Sequence, residues 1–327
     1  VKKFLTALFT LFITTSAIAK PLVVYSGRSE ALVGPIFEQF TQDTGIELDV
    51  RYNSSPAIAT QLLQEREASP ADVVFLQETG YLSVLANANM LQTLPSSLLE
   101  QVPERFQEEQ GRWMGTSARA RVLAYNTNLI SEEELPKSLK ELADPKYDGK
   151  LGWAPSNASF QAHVSGLRTL WGEEATEQWL QAMIKNHPTA YPKNAVQVSA
   201  AGTGEITIGW VNHYYLHRLK QQQPDLPVKN YSFPEQGDAG NMLMIVGAAI
   251  TQTTDKQEQA EALLNYLVSE DAQLLFANEV FEYPASKAVA TNLEVPSLDS
   301  IDFVEVDQRS LANIGLTLEM LKRNGLL

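Results

Sequence analysis

Short apolar runs and helix-period stripes alternate along nearly the whole chain. Leu22-Val23-Val24-Tyr25 reads as a strand closed by Ser26-Gly27-Arg28-Ser29-Glu30, after which Leu32, Val33, Ile36, Phe37 and Phe40 recur at helical spacing up to Gly45. Ile46, Leu48, Val50 and Tyr52 alternate with Glu47, Asp49 and Arg51, the period of a half-buried strand, and Ile58, Leu62 and Leu63 mark a second helix. Ser69-Pro70-Ala71-Asp72 then introduces the apolar strand Val73-Val74-Phe75-Leu76, which runs into Gln77-Glu78-Thr79-Gly80 and another helix. This order predicts a parallel, doubly wound α/β lobe.

A second lobe of the same class follows. Arg121 to Tyr125, Leu151-Gly152-Trp153 and Ile206 to Val211 read as strands, with helices near Gln161 to Trp171 and Ala175 to Lys185. Met242 to Ile250 is a long apolar strand that can cross back to the first lobe, and Gln257 to Val268 and Arg309 to Leu321 read as amphipathic helices. No solenoid period, low-complexity tract or long flexible linker interrupts the pattern, so short crossing segments join the lobes. The expected division is residues 20–115 with about 245–290 for the N-terminal lobe, and 116–244 with about 291–327 for the C-terminal lobe.

The first residues break this pattern. Lys2 and Lys3 precede an apolar run from Phe4 to Ile13, and Ala17-Ile18-Ala19 has small residues at the spacing of a signal-peptidase site. Residues 1–19 are therefore expected to be a cleaved leader, placing the mature protein in the periplasm. No later stretch approaches the ~20 apolar residues of a membrane span, so no membrane insertion is expected. The chain has no cysteine, which removes thiol chemistry, disulfides and a lipid-attachment site together. Its formal net charge is −14, and loss of the leader's two lysines takes it to −16. That acidity, without a basic stripe, argues against nucleic acid.

Candidate chemistry concentrates at Asn212-His213-Tyr214-Tyr215, two phenols directly beyond an apolar strand. Ligands of open α/β sheets bind beyond the carboxyl ends of the strands, and phenolate oxygen is a hard donor suited to hard, highly charged metal ions. The bland alternative is one ring in the core and one at its edge. Of the four histidines, His163, His187, His213 and His217, the last two have i, i+4 spacing, but no Glu lies between them to act as a zinc protease's base; both read as polar helix surface, with orientation of the adjacent phenols the lesser alternative for His213. Phosphate loop, nucleophile elbow and dinucleotide fingerprint are missing.

Several segments together resemble the ferric-iron-binding periplasmic proteins of ABC transporters: Val23-Val24-Tyr25-Ser26-Gly27-Arg28, Ser69-Pro70-Ala71-Asp72-Val73, Ala118 to Val122, Gly152 to Phe160, Tyr191-Pro192-Lys193-Asn194, Asn212 to Tyr215 and Phe281-Glu282-Tyr283-Pro284. The resemblance covers essentially the whole mature chain in order. It implies a two-lobed periplasmic binding protein of type II with the ligand in the interlobe cleft. It further implies a monomer that is not an enzyme and that passes Fe(III) to an inner-membrane permease. Tyr214 and Tyr215 would bind the metal, and a carbonate or phosphate would complete its sphere on Arg119, Ser156, Asn157, Ser159, Asn194 and Asn212, with Arg121 nearby. From below, that chemistry is reasonable: a bound metal depresses a phenol pKa, and a helix start such as Ser156 to Ser159 favours an anion.

The chain departs from the family in the first lobe. Ser29 stands where some relatives have a ligating histidine, Gln77 where some have a glutamate, and Phe160 where others have an additional tyrosine. Ser29, Glu30, Gln77 and Glu78 are thus the candidate first-lobe contributors, and the resemblance implies fewer protein ligands and more reliance on the anion or water. Removing Arg119 is expected to change apo stability little. Two other readings compete. A polyamine or other organic-cation binder would use the acidic chain and its five tryptophans, Trp210 among them. A secreted metal-dependent hydrolase would use Glu30 or Glu78 as general base, although no three-ligand catalytic set is evident.

Overall fold

The computed structural model describes residues 20–286, 288–304, 306 and 310–327. The expected leader lies outside the described residues.

The first lobe follows the predicted order. Strands β1 (Leu22–Ser26), β2 (Leu48–Tyr52) and β3 (Val73–Leu76) run parallel in the order β2-β1-β3, crossed by helices α1 (Glu30–Thr44), α2 (Ser55–Glu65) and α3 (Thr79–Asn87). A one-turn helix, α4 (Ser96–Leu99), leads toward the next strand. Leu22 and Val24 pair with Leu48 and Val50, and Val24, Phe37, Phe40 and Phe75 share one core. Gly27 follows β1 at a point where a Cβ would run into the Ser55 hydroxyl at the start of α2, so a larger residue does not fit there. The turn brings two helix starts side by side.

The central element is longer than sequence periodicity suggests. β4 (Met114–Asn126) has thirteen residues, all buried. Its first half pairs with β9 (Leu243–Ile250) and β10 (Tyr283–Pro284); its second half pairs with β7 (Ile208–Asn212) and β8 (Val228–Tyr231). β5 (Leu151–Trp153) and β6 (Thr189–Ala190) extend the second half parallel to β7, so one strand crosses between two sheets of opposite lobes. β9 lies antiparallel between β3 and β4, which realises the expected return to the first lobe.

Helices α5 (Ala158–Trp171), α6 (Glu173–Lys185), α7 (Asn194–Thr203) and α8 (Tyr214–Gln222) pack the second lobe around Trp153, Phe160, Trp179 and Trp210. Phe160 sits between Trp153 and Trp210 in edge-on ring contacts and is wholly buried, a core role that fits a side chain unable to ligate. Helices α9 (Gln257–Leu267) and α10 (Glu270–Leu275) return to the first lobe, and α11 (Ile314–Arg323) closes the chain against α5.

Candidate metal and anion site

The site begins with the period of a strand. Side chains two apart share a face, so Ser117, Arg119 and Arg121 form a polar row along β4, at the point where it passes from one lobe to the other. All three are fully buried. Arg119 donates from Nη1 to the Gln77 carbonyl at 2.6 Å and from Nη2 to Glu78 Oε1 at 2.7 Å. Arg121 donates from Nη1 to Asn212 Oδ1 at 3.0 Å and from Nη2 to the Trp210 carbonyl at 2.9 Å, with its guanidinium 5.0 Å above the Trp210 ring. Burial pushes the Arg121 pKa down to about 9.

A third buried arginine enters from the end of β1. Arg28 Nη2 lies 2.5 Å from Glu282 Oε1, and Ser117 donates to the other Glu282 oxygen at 2.6 Å. Burial works against the Arg28 charge, but the Glu282 carboxylate and the Tyr214 and Tyr215 phenols hold its pKa above the ordinary value. The guanidinium stands 6.0 Å from the centre of the Tyr214 ring.

The two tyrosines open α8 directly after β7, at the predicted strand mouth. Their rings lie 4.2 Å apart. Tyr214 is fully buried and its hydroxyl has no hydrogen-bond partner, while Tyr215 is half-buried and lines the cleft. Burial, then the neighbouring Tyr215, raises the Tyr214 pKa well above 10 against the pull of Arg28, so the free protein holds a protonated phenol. Any metal taken up on that oxygen would have to displace the proton.

Native structures rarely leave buried polar atoms unpaired. Here six of the eleven such side-chain atoms among the described residues belong to this cluster: Arg28 Nε and Nη1, Arg119 Nε, Arg121 Nε, Asn194 Nδ2 and Tyr214 Oη. Five of these six are donors of the type an anion takes, and the sixth is the phenol itself. Ser159 Oγ accepts from Gln77 Nε2 at 2.9 Å and from Asn212 Nδ2 at 3.1 Å, which leaves its proton available to donate. The Asn157 side chain accepts from Ser159 N at 3.0 Å and caps α5.

Above this cluster opens a cleft cavity of about 610 Å³ with walls from both lobes. The N-caps of α1, α2, α5 and α7, namely Ser29, Ser54, Asn157 and Lys193, all line it. Four helix starts put unpaired N–H groups and positive dipole ends around one space.

The structure sorts the other predicted residues. Gln77 lines the cleft and bridges the lobes through Ser159. Glu78 is buried on Arg119; burial raises its pKa while Arg119 pulls it down. Glu30 is exposed in the first turn of α1 and does not line the cavity, and Ser156 is exposed outside the hydrogen-bonded cluster. The Arg119–Glu78 pair also overturns the expectation that losing Arg119 leaves apo stability unchanged, since a buried carboxylate would be stranded.

The histidines differ from the sequence reading as well. His213 is not helix surface. It is 2% exposed, accepts from Ala120 N at 3.1 Å through Nδ1 and lies 2.7 Å from the Phe281 carbonyl through Nε2, which assigns the proton to Nε2. Burial lowers its pKa to about 3. The cause is position: β7 is fully buried, so the residue that follows it is still inside when α8 begins. His217 is only partly buried. Among the described residues, no three His, Cys, Asp or Glu side chains gather as a metal cluster.

Sequence reasoning missed Arg28 and Glu282 as site residues, although both lie in the quoted segments. The available signal was a charge inside an otherwise apolar stretch, as with Glu282 between Phe281 and Tyr283-Pro284.

Two α/β lobes joined by a crossing strand, with a polar cluster in the cleft between them, define a solute-binding protein. The chain belongs to the bacterial extracellular solute-binding protein family, whose model matches residues 68–309. It is 35% identical over 309 residues to the Fe(3+)-binding periplasmic protein of Serratia marcescens, covering 94% of this chain and 90% of the relative. The iron-bound HitA structure from Pseudomonas aeruginosa aligns with a TM-score of 0.89 at 29% identity, over 94% of this chain and 99% of that one. The Trichodesmium IdiA (FutA) structure, in complex with iron and citrate ligands, aligns at 0.79 with 26% identity, over 94% and 100%. These relatives are binding proteins, not enzymes.

Proposed function

We propose that this chain is a periplasmic Fe(III)-binding protein that captures ferric iron with Tyr214 and Tyr215 and an exogenous synergistic anion, then delivers it to an ABC permease in the inner membrane. The observation that carries the reading is the fully buried Tyr214 hydroxyl without a hydrogen-bond partner, beside a second phenol and three buried arginines. A buried hydroxyl left unpaired is unfavourable unless another species satisfies it. A hard trivalent cation does so on displacing the proton, and the metal then offsets the high phenol pKa. The names of the Serratia and Pseudomonas relatives point the same way.

In this reading the second lobe supplies the metal ligands and most of the anion cradle, and the first lobe adds Arg28. Arg28, Arg119, Arg121, Asn157, Ser159, Asn194 and Asn212 make up the anion cradle, for which carbonate and phosphate are the small candidates. Gln77 closes the lobes onto the ligand through Ser159. The lobes are residues 20–115 with about 245–290 and residues 116–244 with about 291–327, working as a monomer that enters the periplasm behind the 1–19 leader. Cationic cleft groups oppose a polyamine ligand, and the engagement of Glu78 by Arg119 removes the best general base from a hydrolase reading.

The test is a ferric titration of iron-free protein in anion-depleted buffer, repeated with carbonate and with phosphate. One iron per chain, bound at least tenfold more tightly with an anion present, is expected. Iron binding that is indifferent to the anion refutes the cradle; polyamine binding without iron binding refutes the whole reading.

A further inference from the structure

At residue 213 every polar group is paired, while at residue 214 the hydroxyl is left open. In the β4–β7 ladder Arg121 faces Asn212, so Ala120 and His213 stand next in register and would ordinarily exchange both backbone bonds. Only one is made that way, from His213 N to the Ala120 carbonyl at 3.0 Å. The His213 backbone is already helical, with φ −56° and ψ −39°, and its carbonyl turns away to accept from Asn230 Nδ2 at 2.8 Å. The imidazole fills the vacated place, taking the Ala120 N–H on Nδ1 at 3.1 Å. The ladder is thereby carried by a side chain right up to the start of α8.

The other ring nitrogen reaches the sheet of the opposite lobe. Nε2 donates at 2.7 Å to the carbonyl of Phe281, two residues before β10, which pairs with the first half of β4 where β7 pairs with the second. Phe281 lies in the left-handed region, with φ 63° and ψ 29°, where bulky residues are rare. Its own N–H and that of Glu282 both donate to the Phe276 carbonyl and hold the turn. Unusual backbone of this kind persists where its surroundings over-determine it, and it gathers at binding sites. Here the turn sends the Phe281 carbonyl to His213 and the Glu282 carboxylate to Arg28 and Ser117. The Tyr283 ring stacks on the imidazole with centroids 4.8 Å apart. One tripeptide thus holds both the start of α8 and the arginine at the end of β1.

We propose that His213 is a positioning residue for the metal site: it sets where the Tyr214 and Tyr215 oxygens stand by fixing the start of α8 to β4 and, across the lobes, to Phe281. The inference rests on the ferric reading above. With Nδ1 accepting and Nε2 donating, neither nitrogen is left to take a metal ion, so the residue acts through its neighbours. Its leverage is adjacency. Tyr214 follows it in the chain, and α8 has no side-chain N-cap bond, so the helix start is anchored through this ring instead. Ligand groups keep a productive geometry when the residues behind them are locked by packing and hydrogen bonds.

The experiment compares the mature wild-type chain with His213→Phe and His213→Asn. Each is loaded with Fe(III), its visible spectrum is recorded, its ferric affinity is read by competition against a chelator, and its apo form is melted. Phenylalanine keeps a flat ring and loses both bonds; asparagine offers an acceptor near the Nδ1 position and cannot reach Phe281. His213→Phe should bind iron roughly tenfold more weakly or worse and shift the maximum of the phenolate-to-iron band, with His213→Asn between it and wild type. A purely structural role would lower apo Tm and leave the loaded protein unchanged. Either the band or the affinity at its wild-type value in folded His213→Phe therefore overturns the proposal. Where His213→Phe does not fold, His213→Asn decides: a wild-type band or affinity overturns the proposal, and a displaced band with weaker binding sustains it. Wild-type protein that takes up no ferric iron removes the ferric reading and the inference together.

Discussion

Replacing Tyr214 by Phe should stabilise the iron-free protein while disabling it. The change removes one oxygen from a side chain that is 0% exposed and whose hydroxyl has no partner, with the ring left in place. An unsatisfied buried polar group costs about 1–3 kcal/mol, so its removal should gain about 1 kcal/mol after the ring settles. At about 2.1 cal/mol/K per residue over the whole folded chain, that gain raises Tm by about 1.5 °C. Tyr215 is half-buried, and Tyr215→Phe should leave apo Tm nearly unchanged. Ferric affinity responds in the opposite direction: outer-shell groups are worth about 10–100-fold in metal affinity, so loss of a direct ligand should exceed that. Calorimetric melting of apo wild type and both variants, followed by competition against a ferric chelator, reads both halves. An apo Tyr214→Phe protein destabilised by about 1 kcal/mol or more would show that the hydroxyl is satisfied without a ligand.

Other outcomes follow from the same contacts. Arg119→Ala should destabilise the apo protein by about 3–5 kcal/mol because Glu78 stays buried and unpaired, and adding Glu78→Gln should restore most of that in urea unfolding; a neutral single variant would refute the buried pair. His163 is buried, donates from Nε2 to the Ala239 carbonyl at 2.7 Å, and has its pKa lowered to about 3, chiefly by burial. Between pH 6.5 and 4.5 the unfolded imidazole takes up a proton that the folded one does not, so this residue should remove about 2–3 kcal/mol of stability as pH falls, and His163→Gln should flatten that slope. Iron affinity should also weaken on acidification, since binding releases phenol protons; chelator competition at pH 8, 7 and 6 that shows no slope would contradict phenolate ligation.

The large elements were legible because their periods were clean. The alternation of Leu48, Val50 and Tyr52 and the helical stripe from Leu32 to Phe40 each appear where expected, as β2 and α1. β4 was read at half its length because its first half, Met114 to Ala120, is buried on both faces while carrying Ser117 and Arg119, so no apolar alternation marks it. The tyrosines stood out as candidates because a polar tetrapeptide follows an apolar strand, and the structure places them at that strand's end. Arg28, Glu282 and the depth of His213 did not, because their roles depend on pairing between residues some 250 positions apart in the first case, and on a strand that stays buried to its last residue in the other. Helix-start chemistry marked Ser156, Asn157 and Ser159 alike as candidates and could not separate the exposed Ser156 from Asn157 and Ser159, which are hydrogen-bonded to each other.

The central claim is that Tyr214 and Tyr215 bind ferric iron as phenolates, and a visible spectrum with metal analysis tests it most directly. Wild-type protein given chelated Fe(III) and desalted should carry one iron per chain and a visible phenolate-to-iron charge-transfer band. The Tyr214→Phe/Tyr215→Phe protein should be folded, colourless and free of iron. A double variant that keeps the wild-type iron content or the band would contradict the account.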